Sequence, residues 1–289
     1  MTLYRGRFAP SPTGPLHAGS LATALASWLD ARAACGAWVI RIEDLDPPRS
    51  VTGAAPHIVE TLARCGLESD EPVAFQSTRR ALYEAAFSRL QSTGLVYGCT
   101  CSRKDVEDVI EAQAGWPAGV YPGTCALGAT PDKPIRAYRT RVPYGQLGFV
   151  DRTAGRYAQD LKDEVGDFVI RRADGLWSYQ LAVVVDDAEQ GITDVVRGAD
   201  LLDNTPRQIF LQHTLGFATP RYMHVPLVLS ATGEKLSKQT GAAAVDSEQP
   251  VLELQTAAQH LGLGTIEATS VDTFLTYAID RWRAKNKGN

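Results

Sequence analysis

The chain has 289 residues, 44% of them hydrophobic and 21% charged, with a formal net charge of −4. Such a composition excludes a disordered chain, and no window approaches the roughly 18 uncharged apolar residues of a membrane span. The N-terminus reaches Arg5 and Arg7 without an apolar signal core, so a soluble, cytoplasmic protein is expected, and the acidic balance argues against general affinity for nucleic acid while allowing a local basic face.

At this length two domains are more in keeping than one. Tyr4 to Phe8 alternates weakly and reads as a short strand; Pro10, Pro12, Gly14 and Pro15 then force an irregular loop. Leu21, Leu25, Trp28 and Leu29 follow at helical spacing, with the helix starting near Ser20. Ala37 to Ile42 has the apolar character of a buried strand, and it carries Glu43, Asp44 and Asp46 to its C-terminal edge, where open α/β sheets bind ligands. A helix around Ala81 to Leu90 leads into Leu95 to Cys99, after which glycine, proline and cysteine dominate, so residues 98–175 read as an insertion. The run Tyr179 to Val185 suits a strand covered on both faces, and Ile192 to Val196 is a second apolar stretch. Asn204-Thr205-Pro206 opens a helix to about Leu215 that Gly216 closes, and His224 to Leu229 reads as one more strand. Two amphipathic helices remain, one from Pro250 and one from Val271 to Arg283.

Two elements are suited to phosphate. The loop from Pro10 to Gly19 is stiffened by proline, lets backbone approach a nucleotide at Gly14 and Gly19, and ends at a helix N-terminus, with His17 as a donor. Near the other end of the chain, Lys235-Leu-Ser-Lys-Gln239 supplies two cations. Taken singly, the first is a proline-rich turn and the second a solvated loop; their order and strand–loop setting make them a pair. Cys99, Cys101 and Cys125 fall within the insertion, and three thiolates are a strong start toward tetrahedral zinc. No histidine lies between residues 58 and 212, which leaves Asp105, Glu107 or water as the default fourth ligand. Cys35 and Cys65 stand alone and read as core.

From Arg7 to Gln239 the chain resembles the glutamyl branch of the class I aminoacyl-tRNA synthetases. His17-Ala-Gly-Ser20 corresponds to the family's His-Ile-Gly-His signature and Lys235-Leu-Ser-Lys-Gln239 to its Lys-Met-Ser-Lys-Ser, with departures at Ser20 and Gln239. Arg41 to Asp46, Val184 to Asp187, Arg197 to Asp200 and Asn204 to Arg207 resemble further segments of that branch. The resemblance implies an α/β fold: a Rossmann-type nucleotide-binding core with a zinc-containing insertion and a short helical C-terminal tail. Its halves would be residues 1–97 and 176–240, the latter with the lysine loop, around an acceptor-binding-like insertion at 98–175 and followed by a tail at 241–289. It also implies the site: Pro10, His17, Gly19, Ser20 and Lys238 on ATP; His17, Lys235 and Lys238 in catalysis; and Tyr121 as the fourth zinc ligand. Glutamate falls to Arg7 and Arg197 at the γ-carboxylate and Glu43 at the amino group, with Ser11 and Tyr179 as further ligands. Guanidinium groups match carboxylates bidentately, and an ammonium asks for a carboxylate.

Only 50 residues follow Gln239 (289 − 239), about the bottom of the usual domain range. An anticodon-reading module is therefore expected to be absent. The resemblance then implies a truncated, monomeric member of the branch that activates L-glutamate with ATP and Mg²⁺ in the absence of tRNA. The glutamyl group would go to the cyclopentenediol of queuosine, presented by the anticodon stem-loop of tRNA(Asp). The alternatives are a short synthetase charging the 3′ end of tRNA(Glu), a catalytically silent binding paralogue, and a small-molecule nucleotidylyltransferase. The last is disfavoured by the cysteine insertion and the glutamyl-type segments.

Overall fold

Strand β1 (Arg5–Phe8), helix α1 (Ala18–Ala33) and strand β2 (Ala37–Ile42) open the chain as a crossover between parallel neighbours in the computed structural model, which describes residues 3–113, 115–228 and 243–287. Helix α2 (Ala54–Arg64), strand β3 (Ala74–Phe75) and helix α3 (Arg80–Ser92) complete the first half. The second half returns through helix α6 (Tyr179–Glu189), strand β9 (Asp194–Gly198), helix α7 (Thr205–Leu215) and strand β10 (Arg221–Val225). Between them lie strand β4 (Val96–Cys99), helix α4 (Arg103–Ala112), strands β5 (Ala137–Thr140), β6 (Gln146–Asp151) and β7 (Gly155–Asp160), the short helix α5 (Leu161–Glu164) and strand β8 (Phe168–Arg171). Helices α8 (Pro250–His260) and α9 (Val271–Lys285) end the chain.

The main sheet has the order β3-β2-β1-β9-β10-β6-β7, parallel throughout except for the β6–β7 hairpin. Strand order reverses between β1 and β9, which makes the C-terminal ends of those two strands the expected crevice for a ligand. Successive β2 side chains alternate across this sheet: Trp38, Ile40 and Ile42 join the core built on α1, while Val39 packs with Ile209 of α7. Because α1 lies between the sheet and the C-terminal helices, Leu21, Leu25 and Leu29 are all fully buried.

Three sequence expectations change. The run from Tyr179 is a helix rather than a strand: α6 is packed on every side, with Leu181 to Asp187 all buried, so it shows no amphipathic period and looks like a covered strand in sequence. Its start is marked by Ser178, whose hydroxyl accepts from the Leu181 N–H. The strand expected over His224 to Leu229 runs from Arg221 to Val225, and Leu229 lies outside the described residues. Lastly, the 98–175 stretch contributes to both sheets. Strands β4, β5 and β8 form a separate three-stranded sheet, whereas β6 pairs with β10 and extends the main one. Gly216 does close α7, in the left-handed conformation at φ 66° that glycine accommodates.

The terminal helices dock on α1. Phe274, Ala278 and Trp282 of α9 are buried there, and the Trp282 indole donates to Asp30 Oδ1 at 3.0 Å. Asp30 also accepts from Tyr4 (2.5 Å) and from Arg152 in the β6–β7 turn (2.5 and 2.9 Å), so one buried carboxylate ties both ends of the chain to the hairpin. Trp282→Ala is therefore expected to lower unfolding stability by about 3–5 kcal/mol, the scale of removing a buried tryptophan. The measurement is the denaturant midpoint at unchanged slope, and a loss below about 1 kcal/mol would mean the tail is not part of the core.

Candidate active site

The loop after β1 is held open by backbone contacts. Glu43 N–H donates to Pro10 O (2.9 Å), Val51 N–H to Pro12 O (2.9 Å) and Val245 N–H to Leu16 O (2.9 Å). His17 is the N-cap of α1: its Nδ1 accepts from the Ser20 N–H (3.3 Å) and its Nε2 lies 3.0 Å from Ser20 Oγ. A ring that accepts at Nδ1 carries its proton at Nε2, so His17 donates to the Ser20 hydroxyl. Beside this pair is a cavity of about 620 Å³ lined by Pro10 and His17 from the loop, Gly19 and Ser20 from the first turn of α1, Gly198 at the end of β9 and Asp200 beyond it. It sits at the strand-order reversal, with a helix N-terminus facing into it. The expected ATP-side residues of the first signature are thus brought together. Lys235 and Lys238 lie outside the described residues.

A second cavity, of about 340 Å³, shares Ala9, Ser11, Thr13, Arg49 and Leu201 with the first and continues from it. Ser11, Glu43 and Tyr179 all line it. Glu43 Oε1 is buried and accepts no hydrogen bond among the described residues; its nearest cation is Arg41 at 3.5 Å. Burial raises the Glu43 carboxyl to about 7 despite the pull of Arg41 and Arg7. A lining carboxylate with unfilled acceptor capacity is chemically suited to receive an ammonium group.

Arg7 and Arg197 lie behind this cavity rather than among its lining residues. Arg7 is spoken for: its Nε and Nη2 reach Asp187 at 3.2 and 3.4 Å. Arg41, fully buried, donates to the same Asp187 at 2.8 Å and to Gln190 at 2.7 Å. The neighbouring Asp186 accepts from Gln76 (2.7 Å), Arg79 (2.6 Å) and Tyr83 (2.9 Å). Arg197 differs from Arg7. Each of its five N–H directions finds a neutral acceptor: His224 Nε2 (3.0 Å), Gln208 (2.8 Å), Thr205 (2.8 Å), Leu201 O (3.3 Å) and the Tyr179 hydroxyl (3.3 Å). Among the described residues it pairs with no carboxylate. A buried cation without a counter-ion is costly unless an anion arrives.

Arg41, Asp187, Asp151 and His224 carry no role in the sequence reading. The first two sit inside segments that match the family, which was the available signal; Asp151 and His224 are 73 positions apart and have none.

In the small sheet, the sulfur atoms of Cys99, Cys101 and Cys125 lie within 4.8 Å of one another. Tetrahedral zinc at about 2.3 Å from each sulfur asks for separations a little under 4 Å, so the set fits. Tyr121 completes the enclosure, its hydroxyl 3.4 Å from Cys99 Sγ and accepting from the Cys125 N–H at 2.9 Å. Gly166 allows this placement, since a Cβ there would sit 2.6 Å from the Tyr121 carbonyl oxygen. Asp105 is used instead as a helix cap, in a reciprocal pair with Ser102.

A parallel sheet with two adjoining cavities at its strand-order reversal, lined by a helix N-terminus on one side and by Glu43 on the other, is the setting in which open α/β folds bind ligands, and it matches the class I synthetase type of catalytic core. The family model for class I tRNA synthetases (E and Q), catalytic domain, matches residues 4–255. This chain belongs to that family. A protein of Burkholderia mallei named glutamyl-Q tRNA(Asp) synthetase is 58% identical, covering 99% of this chain and 98% of its own. One of the same name from Cupriavidus metallidurans is 56% identical over 96% and 91%. The crystal structure of a glutamate tRNA ligase from Elizabethkingia meningosepticum, in complex with its amino acid, superposes with a TM-score of 0.80 at 27% identity. It covers 95% of this chain, which spans 64% of that ligase's length.

Glu43 supplies the prediction. Its raised value means that the carboxylate is lost as pH falls through about 7, and an ammonium-bearing substrate needs the carboxylate. The kcat/KM for the amino acid should therefore rise about tenfold per pH unit below 7 and level off above it. Glu43→Gln should abolish that limb; a pH profile identical to that of the unaltered protein would refute the assignment.

Proposed function

We propose that the chain joins L-glutamate to ATP without tRNA, releasing pyrophosphate, and then passes the glutamyl group to the cyclopentenediol of queuosine in tRNA(Asp). In the first step a carboxylate oxygen of glutamate attacks the α-phosphorus and the bond to the pyrophosphate oxygen breaks. In the second a diol oxygen attacks the glutamyl carbonyl, AMP leaves and the hydroxyl proton is released. The observation that carries this reading is the continuity of the two cavities, with the Glu43 carboxylate, which accepts no hydrogen bond at Oε1 among the described residues, lining the amino-acid end and Arg197, which pairs with no carboxylate among them, just behind its lining residues Tyr179 and Leu201. Opposite charges held apart in this way are complementary to glutamate and not to an uncharged side chain.

Glu43 holds the ammonium with Ser11 and Tyr179 beside it, and Arg197 and Arg7 face the γ-carboxylate. Arg7 acts at reduced strength because Asp187 already shares its charge. Pro10, Gly19 and the hydrogen-bonded His17–Ser20 pair cradle the phosphates, while Lys235 and Lys238 neutralise the charge that builds on the leaving pyrophosphate, helped by the Mg²⁺ that arrives with ATP. Cys99, Cys101, Cys125 and Tyr121 hold a zinc ion, which when bound braces the small sheet. These groups lie on one chain, in keeping with a monomer. No described helix is long and apolar enough to cross a membrane; with ATP and tRNA as substrates, the protein works in the cytoplasm. The choice of queuosine as acceptor rests on the near full-length relatives of that name.

Glutamate-dependent ATP–pyrophosphate exchange should occur with no RNA present, and radiolabelled glutamate should then appear on a queuosine-containing anticodon stem-loop of tRNA(Asp). Periodate oxidation of the diol should abolish labelling. If the 3′ end of tRNA(Glu) is charged and the stem-loop is not, the chain is instead a short synthetase for tRNA(Glu).

The zinc assignment has its own test. Protein purified without chelator should contain about one zinc per chain, and Cys125→Ser should lower metal content and thermal stability more than pyrophosphate exchange. A metal-free preparation that keeps full stability would remove zinc from the account.

A further inference from the structure

We infer that Asp151 and His224 form a positioning relay that presents Arg197 to the substrate's anionic side chain, so that discrimination of a carboxylate from a carboxamide depends on the β6–β7 hairpin. The inference deepens the functional reading above and rests on it. Asp151 closes β6, His224 lies on β10 and Arg197 on β9, and all three side chains are buried.

The hydrogen bonds specify the proton positions. Asp151 Oδ2 is 2.6 Å from His224 Nδ1, and Arg197 Nε donates to His224 Nε2 at 3.0 Å. A guanidinium N–H only donates, so Nε2 must accept and the imidazole proton must sit on Nδ1, facing Asp151. Burial and Arg197 hold the His224 proton affinity below its ordinary value against the pull of Asp151, keeping the ring neutral. The contacts of Arg197 divide by length. Its rear is clamped by His224 (3.0 Å), Gln208 (2.8 Å) and Thr205 (2.8 Å); its two longest bonds, both 3.3 Å, go to the Tyr179 hydroxyl and Leu201 O. Tyr179 and Leu201 are the two of these five partners that line the amino-acid cavity. A ligand carboxylate that displaces them meets one N–H from each terminal nitrogen, the bidentate geometry arginine offers. A carboxamide would turn donors of its own toward one of them.

Asp151→Asn tests the relay with little change of shape. Asp151 Oδ1 accepts from the N–H groups of Thr153 (2.9 Å) and Ala154 (2.8 Å). The amide oxygen of the variant must keep that place, which turns its NH₂ toward His224 Nδ1. The ring then accepts at Nδ1, its proton moves to Nε2, and donor faces donor at Arg197. Such a tautomer inversion by an Asp-to-Asn change is known to disable a buried His–Asp pair. In pyrophosphate exchange, Asp151→Asn should raise the KM for glutamate about tenfold or more and lower the glutamate-over-glutamine preference in kcat/KM about tenfold, the cost of one mispaired buried hydrogen bond. The KM for ATP should stay within about twofold, because His224 does not line the nucleotide cavity. An unchanged KM for glutamate, or an equal rise in both KM values, would overturn the relay. If the variant does not fold, ¹⁵N-histidine spectra of the unaltered protein decide: His224 protonated on Nδ1 with Nε2 bare supports the relay, and the opposite tautomer overturns it. Absence of glutamate-dependent exchange in the unaltered protein would overturn the functional reading, and this inference with it.

Discussion

Asp187 is the group on which the remainder of the site depends. It is buried on α6 and accepts from Arg7 of β1 and Arg41 of β2, so one carboxylate joins the helix to two adjacent strands of the main sheet. Burial works against its charge, but Arg7 and Arg41 outweigh it and hold the carboxyl below its ordinary range. Removing one partner of such a cluster leaves an uncompensated charge, at a cost of about 3–5 kcal/mol. The cluster also sets the environment of Glu43, which Arg41 approaches without satisfying. The ion pairs that hold the core together thereby leave a buried acceptor of a cavity-lining residue without a hydrogen bond among the described residues.

The two arginines expected to share a substrate carboxylate are physically unlike. Arg7 is neutralised by a resident carboxylate and acts first as a structural cation. Arg197 is surrounded by neutral acceptors and stacks near the Tyr222 ring, 5.3 Å from its centroid. A buried cation without a counter-ion among the described residues is poised for an anion from outside, and selectivity is expected to reside there. Its rear clamp draws on residues from β10 and α7, and through His224 on the hairpin after β5.

That hairpin changes how the middle of the chain is understood. Its glycine, proline and cysteine texture leads to the expectation of an insertion, and strands β4, β5 and β8 form a sheet of their own. Strand β6, however, joins the main sheet beside β10, and its terminal Asp151 reaches into the active-site network. Asp30 repeats the pattern on the other face, where Arg152, a turn residue of the same hairpin, and Trp282 of the last helix both donate to this one α1 carboxylate. Insertion and tail are tied to the core by buried carboxylates as well as by apolar contact.

By itself the sequence determined what depends on short-range order. The proline- and glycine-bearing loop from Pro10 to Gly19, the acidic edge after Ile42, the Pro206 and Gly216 boundaries of α7 and the spacing of Cys99, Cys101 and Cys125 are local patterns, and their chemistry follows from residue type. Tertiary structure alone decided the rest. Leu181 to Val185 belongs to a helix whose residues from Leu181 to Asp187 are all buried, a condition that erases the periodicity by which a helix is recognised. Which of Arg7 and Arg197 keeps a free charge, and whether Asp151 touches His224, depends on contacts between residues 180 and 73 positions apart. Hydrogen bonds act over about 3 Å, and only the packing of β1, β6, β9 and β10 against α6 and α7 brings those groups within that reach.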